Sequence, residues 1–310
     1  MTNTPQRRAG GRAARTAARA APLSDTMRPI RPGMEGGTYH PLSQLDVEKI
    51  NRSALTALEE IGLADAPQSG IDIMVGAGAI YGQDGRLRFP KSLIEDMLVK
   101  ANREITLFGR NPKHDMLLSG KKVHYGTAGA AVHMVDVENQ SYRESTVKDL
   151  HNAARIVEHL DNIHFVQRPM VCRDIPDNRE MDLNTIYACT TGTQKHVGTS
   201  FTEPGFVDDA FEMLHMIAGG EDRWRDRPFV SNSNCFVVPP MKFATESCQV
   251  MEKCIKGGMP ILLLSAGQAG ATAPAPIAGA IVQAVAECLA GMVYVNALKP
   301  GPVSYTHLRA

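Results

Sequence analysis

Aromatic residues are scarce in this sequence, which holds one Trp, seven Tyr and nine Phe in 310 residues. A cage for a quaternary ammonium needs several converging rings, and only Tyr125, Phe201 and Phe236 are placed to supply one. Neither sign of charge is in excess, because 33 Lys and Arg balance 33 Asp and Glu. No global field therefore draws the chain to nucleic acid or to acidic partners. The six cysteines, Cys172, Cys189, Cys235, Cys248, Cys254 and Cys288, lack any CxxC spacing, which argues against a zinc site or a thioredoxin-type pair. His114, His124, His133, His164 and His196 form no i, i+4 helical pair, so spacing implies no metal. No run of about eighteen apolar residues occurs, and no charged-then-apolar segment opens the chain. These absences lead to the expectation of a cytoplasmic protein with no membrane and no nucleic-acid partner.

The first twenty residues carry Arg7, Arg8, Arg12, Arg15 and Arg19 and no acid. With almost no large apolar side chains, residues 1–37 read as a disordered basic tail. Residues 38–120 read as a helical and hairpin extension. Leu45, Val47, Ile50, Leu55, Leu58 and Ile61 recur at helical spacing between Ser43 and Gly62. Ala79–Phe89 alternates around an Asp-Gly turn, which predicts a hairpin. Pro90 opens a helix over Lys91–Asn102, and Ile105–Phe108 and Asp115–Leu118 flank an Asn-Pro turn. The string Gly76–Gly82 superficially resembles a dinucleotide loop, but a hairpin rather than a helix comes next, and that reading is rejected.

From residue 122 a rhythm begins. Strands are expected near Lys122, Asn162, Lys195, Pro228, Pro260 and Met292, and a helix-like segment follows each of the first five. After the first interval, successive strands start about 32 residues apart. Repeated βα units of constant length imply a parallel sheet with helices outside it. No side-chain motif recurs, so the reading is α/β, a (β/α)8 TIM barrel over residues 121–303 that is incomplete, with about six of the eight units such a barrel needs. Residues 304–310 show no continuing period and read as a non-native tail, so the chain is expected to be a fragment.

The densest signal lies in Met259–Val295. An apolar run, Pro260–Leu264, has the composition of a strand buried on both faces. A loop of small residues follows, then an Ala-rich helix from about Pro276 to Leu289, then a second strand near Met292. In a barrel, functional residues gather where strands meet their following loops. Those positions give the candidates Tyr125, Gln167, Arg168, Thr202, Glu203, Asn232, Asn234, Gln268, Gly270 and Thr272. Arg168 is suited to an anionic group of a substrate, or to pairing with a nearby acid. Glu203 precedes a helix start, where the dipole favours an acid without any catalysis. The small loop Gly267–Thr272 is either a close-approach site or a plain turn.

The string GQAGATAPAPIAGAIVQAVAECLAGMVYVNALKPG occurs with FGRNP (Phe108–Pro112), VHYGT (Val123–Thr127) and TVKDLHNAAR (Thr146–Arg155). Together these resemble the trimethylamine methyltransferase superfamily from about Thr38 to Gly301. The resemblance implies a (β/α)8 barrel that moves a methyl group from a methylamine or quaternary amine to cobalt(I). The corrinoid (cobalamin) is carried by a cognate partner protein, and no cofactor is bound directly. The region that separates trimethylamine enzymes from glycine betaine enzymes lies beyond residue 301, so no catalytic residue is carried over. Homo-oligomerisation is left open. Two alternatives stand beside this reading, an inactive incomplete barrel and an unrelated TIM-barrel lyase or aldolase. The latter lacks a Schiff-base Lys at the first five strand ends.

Overall fold

A computed structural model describes residues 11–21, 30–299 and 304–308. The chain divides into a short unit of residues 1–31 and a large one from Pro32 onward. In the short unit Arg12–Ala20 is a helix, where composition predicts a disordered tail. Five of its nine residues are Ala, the strongest helix former, and this outweighs the lack of apolar mass. The end of the expected tail belongs to the large unit, where Met34–Glu35 pairs antiparallel with Lys122–Val123.

The extension forms largely as its local signals dictate. Ser43 and Asp46 cap helix Gln44–Glu60 reciprocally, and Ala54, Leu55 and Leu58 are its buried stripe. Ile80–Tyr81 and Arg86–Arg88 pair across the Asp84-Gly85 turn, with Gly85 at φ +74°. Helix Lys91–Lys100 follows Pro90, and Ile105–Leu107 pairs with Met116–Leu118. A further helix, Gln68–Gly76, was not expected. The extension is not separate from the βα units, because Ala64 pairs in parallel with Lys242. One hydrophobic core runs from Leu58 and Phe89 to Trp224, Met251 and Val293.

Behind it stands a parallel sheet of five strands in sequence order: Phe165–Gln167, His196–Thr199, Val230–Asn234, Ile261–Ser265 and Ser304–Leu308. Helices Asn178–Gly192, Phe206–Ala218, Thr245–Lys256 and Ile277–Leu298 occupy the crossovers, so the architecture is α/β. No closed barrel forms among the described residues. Alternation along the strands sends Val166, Val197, Val230, Ile261 and Leu263 into the core shared with the helices. Phe165, Gln167, Leu262 and Leu264 instead line a cavity.

Two expected strands change. Near Lys122 no strand joins the parallel sheet; two isolated parallel bridges, Gly126 to Phe165 and Ala131 to Met170, stand in its place among the described residues, because small residues replace an apolar run after Tyr125. Near Met292 no strand begins, since the helix continues to Leu298. Nothing breaks it before Lys299-Pro300, and Gly291 is tolerated where a Cβ would meet the Phe236 ring at 2.4 Å. The fifth strand lies instead at Ser304–Leu308, inside the segment read as a patternless tail. By length and composition helix Ile277–Leu298 could cross a membrane, which qualifies the absence of a long apolar run. Here it packs against helices Gln44–Glu60, Gln68–Gly76 and Lys91–Lys100, with Gln283, Glu287, Tyr294 and Asn296 buried.

Candidate functional site

A cavity of about 720 Å³ lies against the parallel sheet, bounded by its strand ends and by Ser247 of helix Thr245–Lys256. Its apolar side is the hairpin Ile105–Leu107/Met116–Leu118, which clusters with Phe165. His196 ties that hairpin to the sheet. Its Nδ1 lies 2.8 Å from the Phe108 carbonyl and its Nε2 2.9 Å from Ser231 Oγ. Burial pushes the His196 pKa down to about 4, so the ring is neutral at pH 7, donating from Nδ1 and accepting from the serine. Arg227 holds Asp115 through both carboxylate oxygens at 2.8 and 3.0 Å, and its guanidinium stacks over Phe108 at 4.7 Å. The FGRNP segment is thus a structural lock between the hairpin and the sheet.

A second wall is the loop His124–Ala130. The Tyr125 backbone N–H donates to His164 Nδ1 at 2.9 Å, and the His164 backbone N–H donates back to the Tyr125 carbonyl at 2.7 Å. Burial first, and the neighbouring His124 second, lower the His164 pKa to about 4. A neutral ring is what this bond requires, because Nδ1 must accept. The Tyr125 ring is half-exposed at the cavity mouth.

The polar wall comes from strand ends. Tyr125, Gln167, Arg168, Asn232 and Asn234, all expected from sequence, line this one cavity. The Asn234 amide donates to Asn232 Oδ1 and to the Ser247 carbonyl, both at 3.0 Å. That leaves Asn232 Nδ2, Ser233 Oγ and Asn234 Oδ1 buried without partners. An unpaired buried polar group costs about 1–3 kcal/mol, so these three strand-end atoms, closed off from solvent beside the cavity, are a local cost to the fold.

The other five candidates lie elsewhere. Thr202 gives its N–H and hydroxyl to Asp182 Oδ2, and Glu203 is exposed in the turn before helix Phe206–Ala218, its carbonyl accepting from the Phe206 N–H. Gln268, Gly270 and Thr272 are exposed in a loop that closes on itself. The Gln268 carbonyl accepts from the N–H groups of Ala271, Thr272 and Ala273. Thr272 Oγ1 accepts from the Gln268 N–H at 2.9 Å. Gly270 sits at φ +81°, a left-handed position that suits glycine. Of the two readings of Gly267–Thr272, the arrangement is that of a turn.

Sequence reasoning missed Asp182, which is 1% exposed. Burial raises its pKa, against the lowering effect of Thr202 and Arg168. Its signal was an acid sharing a helix stripe with Thr185, Ile186 and Cys189, all buried. Glu287 was also missed. Fully buried, it accepts from the Met241 N–H, the Gln283 amide and the Ser265 hydroxyl, and so holds the end of strand Ile261–Ser265 to helix Ile277–Leu298. Among the described residues no group of three His, Cys, Asp or Glu is placed to hold a metal.

The family model of trimethylamine methyltransferase (MTTB) matches residues 8–309. The chain belongs to this family. Trimethylamine methyltransferase MttB of Desulfitobacterium hafniense (strain DSM 10664 / DCB-2) is 29% identical over 274 residues, covering 88% of this chain and 55% of that protein. Glycine betaine methyltransferase of Desulfitobacterium hafniense (strain Y51) is 26% identical over 271 residues, covering 86% and 55%. This trimethylamine methyltransferase family chain spans about half the length of these curated relatives. A crystal structure of the hydroxylamine complex of MtmB aligns with a TM-score of 0.34 and 10% identity over 85% of this chain and 67% of that one, a likeness too loose to define the fold.

Proposed function

We propose that this chain carries the amine-binding part of a methyltransferase that moves a methyl group from a methylated or quaternary amine to the cobalt(I) of a separate corrinoid protein. Family membership supports the reaction class, and one observation at the site carries the reading. Aliphatic side chains, rings and a few polar groups line the cavity, and among the described residues no Asp or Glu lines it to act as base or nucleophile. A quaternary amine has no lone pair for a general acid to protonate, and its methyl groups yield only to a strong nucleophile attacking in line. When bound by the partner, the corrinoid supplies that nucleophile. The residues of this chain bind and orient the amine and exclude water, which is catalysis by positioning.

The cavity volume lies in the usual range for small-molecule sites. Tyr125, Phe165 and Phe201 supply ring faces for a methylammonium group, and Gln167 supplies an amide for hydrogen bonding. On this reading the five-stranded sheet is part of a (β/α)8 barrel whose inner face bears the cavity. The same reading puts the protein in the reducing cytoplasm, where a cobalt(I) partner persists.

The test is to offer trimethylamine, glycine betaine, carnitine and choline to the complete protein together with a corrinoid protein reduced to cobalt(I). Loss of the cobalt(I) spectrum with at least one donor is expected. An unchanged spectrum with all of them overturns the reading.

A further inference from the structure

A second cavity, of about 560 Å³, opens at the other end of the parallel sheet. Gln194 and Phe229, which precede strands His196–Thr199 and Val230–Asn234, line it together with the Gly109–Pro112 tip of the hairpin and with helix Glu221–Asp226. Three arginines, Arg110, Arg223 and Arg227, and one acid, Asp226, border this space. It shares no lining residue with the amine cavity.

The three arginines are not equally occupied. Arg227 is taken up within the fold by both oxygens of Asp115, by the Gly109 carbonyl at 3.4 Å and by the face of Phe108. Arg110 makes one hydrogen bond, from Nη2 to the Thr193 carbonyl at 3.2 Å. Glu158 lies near enough for Arg110 to feel its charge, but it is engaged by the Thr193 hydroxyl and the Gln194 N–H at 2.6 and 2.8 Å. Arg223 makes neither a hydrogen bond nor an ion pair within the described residues. Its side chain lies back across Gly219, where an added Cβ would stand 3.0 Å from Nη1. Asp226 forms no ion pair with either arginine within the described residues. The C-terminus of helix Phe206–Ala218 favours a cation at this place, which by itself would account for Arg223. It does not account for Arg110, which comes to the same cavity from the hairpin with most of its donors unpaired.

We infer that Arg110 and Arg223 form an anion site at this end of the sheet, and that its ligand is a phosphate dianion, free or as the monoester of a small hydroxylated molecule. Two planar forks with open donors match a tetrahedral group that offers several oxygens, and guanidinium–phosphate pairs are frequently bidentate. A lone carboxylate would leave one fork unmatched. The volume lies in the range of small-molecule sites and exceeds what a phosphate fills. Asp226 accepts from a hydroxyl and repels a second phosphate. The assignment rests on this cavity and not on the methyl-transfer reading, so either can fail without the other.

The experiment is a calorimetric titration of the whole chain, in phosphate-free buffer, with inorganic phosphate, adenosine monophosphate and adenosine. Both phosphates are expected to bind with a Kd below about 1 mM, and adenosine is expected not to bind. Tighter binding of the monophosphate supports the site and identifies an ester as its ligand, whereas equal binding supports the site and identifies the free ion. Arg110→Gln and Arg223→Gln are each expected to weaken phosphate at least about tenfold, the loss of a charge-assisted pair. Arg223→Lys, which keeps the charge and loses the fork, should weaken it less. Arg225→Gln removes an exposed arginine that pairs with Glu221 outside the cavity and should leave binding unchanged. Arg223 has no partner to lose, so its variants should melt as the parent does. Should Arg110→Gln fail to fold, the Arg223 variants decide. No saturable binding of either phosphate, adenosine binding as tightly as its monophosphate, or a loss in Arg225→Gln equal to that in Arg223→Gln overturns the site.

Discussion

Thr202 gives both its backbone N–H and its hydroxyl to a single oxygen of Asp182, at 2.7 and 2.9 Å, while the other oxygen of that carboxylate is buried without a partner. The pair ties the loop after strand His196–Thr199 to helix Asn178–Gly192. Asp182→Ala is expected to cost about 1–3 kcal/mol, the penalty for stranding the Thr202 donors. The effect of Asp182→Asn depends on pH. Burial raises the folded pKa of Asp182 above 3.8, so between 3.8 and the raised value the native state binds the extra proton. Wild-type stability from this group is therefore greatest below that window and declines as pH rises through it. Asn does not titrate. Urea melts at several pH values should show the variant gaining on the parent from acid toward neutral pH, and a pH-independent difference would refute the assignment.

Gly126 sets the width of the cavity. A Cβ there would meet the Phe165 ring at 2.3 Å, too close for any real contact, and Phe165 belongs both to the sheet edge and to the hairpin cluster. Gly126→Ala is expected to push the ring into the cavity, costing about 1–3 kcal/mol as overpacking and weakening amine binding as well. Gly126→Ala combined with Phe165→Leu should recover the stability but not the binding, because the Phe165 ring is one of the faces offered to the methylammonium group. Recovery of both would show that Phe165 makes no contact with the ligand.

What could be read from sequence divides along physical lines. Helix Gln44–Glu60 was legible because Ser43 and Gly62 bound it and Leu55 and Leu58 recur at helical spacing. The hairpin at Asp84-Gly85 was legible because its turn chemistry is local. Arg168, Asn232 and Asn234 were found because strand ends in a parallel sheet converge whatever the side chains are. By contrast, the pairing of Ala64 with Lys242 is a long-range match that no local signal encodes. The Met292–Leu298 segment misled because a short apolar run rich in β-branched residues suits a strand or a buried helix equally, and its 3.6 period was hidden by burial on all sides. The Gln268 loop misled for another reason, since small residues that would permit close approach of a ligand also permit a turn to close on itself.

That loop yields a direct expectation. Thr272 Oγ1 is the acceptor for the Gln268 N–H, so Thr272→Val should lower stability by about 1 kcal/mol. Gln268→Ala should change little, because the Gln268 backbone carbonyl makes the turn and its side chain is exposed. Neither should alter the affinity for amines by more than about twofold. A tenfold loss of binding in either variant, measured by isothermal titration calorimetry with glycine betaine, would return the loop to the site.

Lys195 acts at the other end of the sheet. Its buried Nζ donates to three carbonyls, those of Val157, Leu160 and Ile163, at 2.7, 2.8 and 2.6 Å. It thereby ends helix Val147–Glu158 and sets the chain on course for strand Phe165–Gln167. A cation at a helix C-terminus also meets the negative end of the macrodipole. Lys195→Met keeps the stem and removes the donors, and it should cost about 1–3 kcal/mol. Burial lowers the Lys195 pKa below 10.5, with Glu158 and Asp161 working against the shift. Between the lowered value and 10.5 the unfolded chain holds a proton that the native state has released, so the contribution of this group rises with pH across that window. Denaturant melts should therefore show the gap between parent and Lys195→Met widening as pH climbs toward 10.5. Because Phe165 and Gln167 take their positions from this strand start, the same variant should also weaken betaine binding, while Lys195→Arg, which retains donors, should weaken it less. Unchanged melts and unchanged binding in Lys195→Met would show that the three carbonyls are satisfied without the lysine.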